Sequence, residues 1–201
     1  MKDTWFGDKR DLVKWGTLAH LARRESLKAI VQVPYLRLEQ RPQLNTAAGS
    51  FDINPDVWAF FRSVTSTEAL AGKLGCEVHV FAEAFDPRRR GDYLGQVLQR
   101  LAGINRKKAV LLDPDTGMSP NTTEAEHATN AEVLACWNVL SGGDWLVVYQ
   151  HFWRVPGWRD EARRRFADCC QATNVEVFSS PDFVSDVIFL AAEKRTSCPS
   201  S

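Results

Sequence analysis

Apolar positions along this chain follow two rhythms, short continuous runs and helical stripes, and their alternation is clearest from Ala109 onward. Ala109–Leu112 and Trp145–Tyr149 are apolar runs of strand length, the second read as a strand through Gln150. Such runs suit strands buried on both faces of a parallel sheet, whereas a helix repeats its apolar residues every three or four positions. Between the two runs the pattern predicts a helix over Thr123–Leu140, opened by the capping-box pattern Thr123-x-x-Glu126 and broken by Ser141-Gly142-Gly143-Asp144. After Pro156-Gly157 a second stripe is formed by Trp158, Ala162, Phe166 and Cys169. Two closing strands, Val175–Ser179 and Val187–Ala191, are too close for a crossover helix, so they should pair as an antiparallel hairpin.

The first half reads less cleanly. A helix is expected over Asp8–Arg24, with Leu12, Trp15, Ala19 and Ala22 as its apolar stripe and Asp11, Lys14 and Arg23 off it. Lys28–Tyr35 reads as a strand interrupted by Pro34, followed by a long polar loop from Arg37 to Ile53. Asn54-Pro55 should open a short helix through Trp58 and Phe61. Thr65-x-x-Glu68 should cap the next helix, which ends near Gly72–Gly75. Cys76–Phe81 is a strand, and Asp92 caps a helix whose face is Leu94, Val97, Leu98 and Leu101. The whole predicts an α/β protein with a doubly wound, mostly parallel Rossmann-like sheet ending in an antiparallel hairpin. One domain over residues 1–194 and a disordered tail over 195–201 are expected.

Composition narrows the function classes. With 25 basic and 25 acidic side chains the net charge is zero, so no global field attracts nucleic acid or membrane, and any basic surface must be local. No secretory signal opens the sequence and no apolar run reaches membrane-spanning length, so a cytoplasmic protein without membrane contact is expected. The five cysteines are odd in number and lack paired spacing, as expected for reduced thiols.

In open α/β sheets ligands bind beyond the carboxyl ends of the strands. Asp113-Pro114-Asp115-Thr116-Gly117 leaves such an end, and two carboxylates there require a cation, a donor or water; the alternative is a solvated turn. Neither a calcium loop nor the Asp-x-Asp-x-Thr signature of haloacid dehalogenases fits the spacing. His151 follows the neighbouring strand and could be a base, a ligand or a boundary residue, while His127 reads as a surface residue. Arg88, Arg89 and Arg90, with Arg106, Lys107 and Lys108, flank one helix and could meet the phosphates of RNA or DNA, or simply form a solvated face. Trp5 and Trp153 border the expected cleft and could stack a base.

The order of residues 109–193 resembles the second half of class I S-adenosylmethionine-dependent methyltransferases, with Asp113-Pro114 at the place of the Asp-Pro-Pro-Tyr/Phe loop of amino-methylating enzymes. Gly7-Asp8-Lys9-Arg10-Asp11-Leu12-Val13-Lys14 is similar to the Gly-Asn-x-x-Asp-Val-Leu-Lys segment of bacterial adenine-N6 methyltransferases acting on large-subunit ribosomal RNA. The resemblance implies Asp113 as acceptor of the target amine's hydrogen bond. It implies Gly7, Asp11 and Lys14 at the cofactor, with Lys14 holding its carboxylate. Leu36-Arg37-Leu38-Glu39 stands where the family has a glycine-rich turn, and Asp115-Thr116 replaces Pro-Tyr. Two further readings stay open: a Mg²⁺-dependent hydrolase or nuclease using Asp113, Asp115 and His151, and an inactive Rossmann-like interaction module.

Overall fold

Four parallel strands and an antiparallel closing pair make the central sheet of this computed structural model, which describes residues 7–37, 43–47, 49–54, 56, 64–119 and 124–195. In chain order, α1 (Lys9–Arg24) leads to β1 (Ala29–Val33), and a small antiparallel hairpin of β2 (Gln43–Thr46) and β3 (Gly49–Asp52) follows. A 3₁₀ segment, Val64–Leu70, runs into α2 (Ala71–Leu74), then β4 (Glu77–Val80), α3 (Arg90–Gly103) and β5 (Lys108–Leu112). The remainder is β6 (Gly117–Ser119), β7 (His127–Thr129), α4 (Asn130–Val139), β8 (Trp145–His151), α5 (Trp158–Cys170), β9 (Glu176–Ser180) and β10 (Val184–Glu193). The sheet order is β4-β1-β5-β8-β10-β9. β5 pairs in parallel with β1 and β8, and β10 runs antiparallel to both β8 and β9, as the sequence pattern requires.

Every residue of β1 and β5 is buried because helices cover both faces of the sheet. On one face Val31, Val33, Val110, Leu112, Leu146 and Val148 pack among α3, α4 and α5. On the other, Ile30, Ala109, Leu111 and Val147 meet Leu18, Leu21 and Ala22 of α1. Alternation along each strand therefore divides one apolar run between two cores.

Several sequence expectations are corrected. The buried stripe of α1 is Asp11, Lys14, Leu18, Leu21 and Ala22, about one residue round from the expected one, and Leu12 is 68% exposed. The buried stripe of α5 ends at Cys170 rather than Cys169. Part of the loop after β1 is the β2–β3 hairpin. Glu68 is no helix cap: its carboxylate accepts from the Val80 amide, and residues 64–70 are 3₁₀. α3 begins at Arg90, which puts Asp92 inside its first turn. The largest change lies before α4, where β6 and β7 pair in parallel and the capping box is Thr129 with Glu132, six residues later than expected. At the start of the helix expected from Asn54, the Asn54 Oδ1 accepts from the Asp56 amide at 2.8 Å; its continuation through Trp58 and Phe61, Trp5, Thr123 and the tail beyond Arg195 lie outside the described residues. No described helix is long and apolar enough to cross a membrane.

Candidate functional site

The site is assembled where β1, β5 and β8 end together. The Asp113 amide donates to the Val33 carbonyl at 2.9 Å, extending the β1–β5 ladder by one residue before the chain turns away. Gln150, fully buried at the end of β8, then holds the turn: its Nε2 donates to the Thr116 carbonyl at 2.9 Å and its Oε1 accepts from the Met118 amide at 3.0 Å. Thr116 is fixed again by its amide and hydroxyl, which both donate to the Glu126 carbonyl. Its hydroxyl also meets His127 Nδ1 at 2.7 Å. His127 is thus a half-buried support of the loop and not the surface residue expected; burial lowers its pKa, with Glu124 and Glu126 opposing.

α1 is placed so that its first two turns lie over this edge. Asp8 caps the helix, accepting from the amides of Arg10 and Asp11. Gly7, at φ 83°, turns its amide onto Asp11 Oδ2 at 2.5 Å. Lys14, 3% exposed, reaches Asp11 Oδ1 at 2.5 Å and Asp113 Oδ2 at 2.8 Å. Gln32 Nε2 donates to the same Asp113 oxygen at 2.7 Å. Burial works against the charge on Lys14, but Asp113 and Asp11 more than compensate and its pKa is raised. Burial also raises the Asp11 carboxyl, with Lys14 opposing.

Two further cations are bound in the same way. Arg37, just after β1, pairs with Asp115 and with Glu126. Arg10 bridges Asp8 at 3.0 Å and Asp186 at 2.5 Å, and His151 Nε2 lies 3.3 Å from Asp186. Burial is the largest influence on Asp186 and raises its pKa, but the hydrogen bond and the charge of Arg10, with smaller contributions, together outweigh it, so the carboxyl is held below its usual range.

These groups surround a cleft of about 310 Å³, at the small end of ligand-site sizes. Asp11, Lys14, Asp113, Asp115 and His151 all line it, so five of the six site residues expected from sequence meet in one place. Gly7 stands behind Asp11. Sequence reasoning missed Arg10, Arg37, Tyr149, Gln32 and Gln150. The two glutamines had a signal, each being a polar residue inside an apolar strand run.

Other expectations fall elsewhere. Trp153 does not line the cleft; it packs beneath Arg165 and against the core. The six basic residues do not form one patch, because the 14-residue α3 separates them by about 20 Å of helix. Arg90 is half of a buried pair with Glu132, and Lys108 of one with Asp144. Arg106 pairs with Glu77, Arg88 with Asp86 and Arg89 with Asp92. Asp113 and Asp115 each already hold a cationic side chain. Among the described residues, no group of three or more His, Cys, Asp or Glu side chains is placed to hold a metal ion.

The residues fit a zwitterionic cofactor such as S-adenosylmethionine in part. Asp11 and Asp113 suit cationic groups, and Arg10 and Arg37, although each also lies between two carboxylates, are more exposed than Lys14 and have the larger number of N–H donors to offer a carboxylate. Lys14 does not suit that carboxylate, being enclosed by two of its own. Nor is there a glycine cradle after β1: Tyr35, at φ 48°, is buried against Phe85 and Tyr93, and Leu36 packs with Val64 and Val80.

No protein-family model and no curated protein matches the sequence. Among solved structures the chain is similar to a protein-(glutamine-N5) methyltransferase of Alicyclobacillus acidocaldarius, 15% identical over 90% of this chain and 93% of that one, TM-score 0.41. An O-methyltransferase of Bacillus cereus in complex with SAH is 11% identical over 90% and 80%, TM-score 0.43. An O-methyltransferase family protein of Burkholderia thailandensis is 9% identical over 94% and 56%, TM-score 0.45. These three are named as methyltransferases or as a member of a methyltransferase family, and at these scores the likeness says nothing of chemistry, which this chain's own residues must carry.

Proposed function

We propose that this chain is a methyltransferase-like protein that binds S-adenosylmethionine in the cleft between α1 and the Asp113–Gly117 loop and serves methylation of an amino nitrogen. The observation that supports this most is the contact of Lys14 with Asp113 at 2.8 Å. It joins the two short segments that resemble methyltransferase motifs, 99 residues apart in sequence, at one strand edge. The cofactor, when bound, supplies an electrophilic methyl group. Asp11 and Asp113 face its cationic side, and Arg10 and Arg37 offer donors to its carboxylate. Lys14 is a positioning residue that keeps two carboxylates together. The Asp113 carboxylate accepts a hydrogen bond from the target amine, and His151 beside Asp186 is placed to receive a proton.

Nucleic acid as the bearer of that amine, and the nearness to ribosomal RNA enzymes, rest on the sequence resemblance and on Arg88 and Arg89. These two are the exposed members of the arginine cluster. The hydrolase reading has no comparable support, since both aspartates are matched by protein cations. The decisive experiment is calorimetry of S-adenosylmethionine with wild type and Asp113→Asn. Heat in wild type that falls away in the variant is expected, and no heat from wild type at millimolar cofactor would overturn the proposal.

A further inference from the structure

Val148 is paired with Leu112, so the next residues along, Tyr149 and Asp113, lie side by side where β5 ends, on strands about 4.8 Å apart. Alternation puts Tyr149 on the face of Leu111 and Val147, against α1. Its ring is held there by packing: it meets Phe189 of β10 edge-on with centroids 5.7 Å apart, and Lys14 Nζ lies 6.0 Å from its centroid. The residue is 6% exposed, and it lines the cleft. Its hydroxyl has no hydrogen-bond partner among the described residues, and the oxygen is not among the unpartnered polar atoms sealed inside the fold. The charges of Asp113, Arg10, Asp186 and Asp8 all act on it, which places it toward the start of α1.

From this placement we infer that Tyr149 is a ligand-contacting residue, whose hydroxyl donates a hydrogen bond to an acceptor on the molecule bound in the cleft. This deepens the proposed function and rests on it for the identity of that molecule. Burial raises the pKa of the phenol, Asp113, Asp186 and Asp8 raise it further, and Arg10 opposes them. The hydroxyl therefore keeps its proton and remains a donor. A ligand that enters the cleft displaces solvent from it and loses affinity unless it replaces that hydrogen bond. Ring and oxygen thus have separate tasks. The ring completes the core against α1, whereas the oxygen takes no hydrogen-bonding part in holding the described fold. Beside it the Asp113 carboxylate can only accept, so two neighbouring residues present opposite hydrogen-bonding senses and fix which way round a ligand sits. S-adenosylmethionine carries acceptors at its amino-acid end and at its nucleoside end, and either can meet the hydroxyl.

The test is calorimetry of the full chain, as wild type, Tyr149→Phe and Tyr93→Phe, with S-adenosylmethionine and with 5′-methylthioadenosine, which lacks the amino-acid end. Tyr149→Phe keeps the ring and removes only the oxygen. Its melting temperature should match wild type, while S-adenosylmethionine binds about tenfold more weakly. Tyr93 packs in the opposite core and does not line the cleft, so Tyr93→Phe should leave the affinity unchanged. A loss shared by 5′-methylthioadenosine supports the inference and places the acceptor on the nucleoside end. A loss seen with S-adenosylmethionine alone supports it and places the acceptor on the amino-acid end. Unchanged affinity in Tyr149→Phe, where wild type binds, overturns this inference and leaves the proposed function standing. A lowered melting temperature of Tyr149→Phe would mean that the hydroxyl serves the fold, and equal weakening by Tyr93→Phe that losing any buried phenol has the same effect; either overturns the inference. Absence of binding by wild type at millimolar S-adenosylmethionine overturns the proposed function and this inference with it.

Discussion

A Cβ at Gly117 would lie 2.4 Å from Oε1 of Gln150, so the loop carrying Asp113 and Asp115 closes over the glutamine only because residue 117 has no side chain. The φ of 104° at Gly117 makes the same demand from the backbone. Gly117→Ala is therefore expected to cost about 2–5 kcal/mol, from the strained φ and the overlap with a buried amide. Gln150→Ala in the same chain should recover only the steric part. A double-mutant cycle by urea denaturation measures that coupling; strictly additive effects would show that the two residues do not share the space.

Lys14 is enclosed by Asp11 and Asp113, and its removal leaves two buried carboxylates facing each other. Lys14→Met is expected to cost about 3–5 kcal/mol, chiefly through the charge left uncompensated. Lys14→Met combined with Asp113→Asn should be less damaging than Lys14→Met alone. A double variant more unstable than the single would show that Lys14 contributes by packing and not by charge.

The two arginines at the start of α3 should behave differently. Arg90 NH1 contacts both Glu132 oxygens at 2.7 Å and its NH2 donates to two carbonyls, so Arg90→Ala should lower stability by about 3–5 kcal/mol. Arg88 is 87% exposed, and Arg88→Ala should leave the melting curve where it is. If Arg88 and Arg89 meet phosphates, their replacement should flatten the salt dependence of oligonucleotide binding while stability is kept.

The Asp186 carboxyl is held below its usual range by Arg10, so its pairing contributes stability above the unfolded aspartate pKa of about 3.9 and loses it as pH falls through the lower folded value. The melting-temperature difference between wild type and Asp186→Asn should be largest near neutral pH and shrink below about pH 4. A difference independent of pH would remove the ion pair from the explanation. The pair is about one-third exposed, so added salt should reduce its effect.

Mg²⁺ should leave the melting temperature unchanged in wild type, Asp113→Asn and Asp115→Asn, because Lys14 and Arg37 already face the two carboxylates. A ligand that binds only the folded state raises its stability. A Mg²⁺-dependent rise in wild type that vanishes in both variants would establish the hydrolase instead.

What the sequence determined by itself was whatever depends on local periodicity. The runs Ala109–Leu112 and Trp145–Gln150 could be read as buried strands, the short link before Val187 as a hairpin, and Asp113 as a residue at a strand's carboxyl end. Strand burial on both faces and chain reach leave few alternatives there. Periodicity failed where two local patterns were equally good. Thr123-x-x-Glu126 and Thr129-x-x-Glu132 carry the same capping signature, and only the β6–β7 pairing and the buried Arg90–Glu132 contact select the second. It failed on α1 because Asp11 and Lys14 read as solvent-facing positions until a strand 99 residues away supplies the partner that makes their burial tolerable. Arg10 and Arg37 likewise look like ordinary surface charges in sequence. Their roles depend on distances to Asp186, Asp115 and Glu126, which no local pattern encodes, because ion pairing is set by where the sheet edge brings the chain back together.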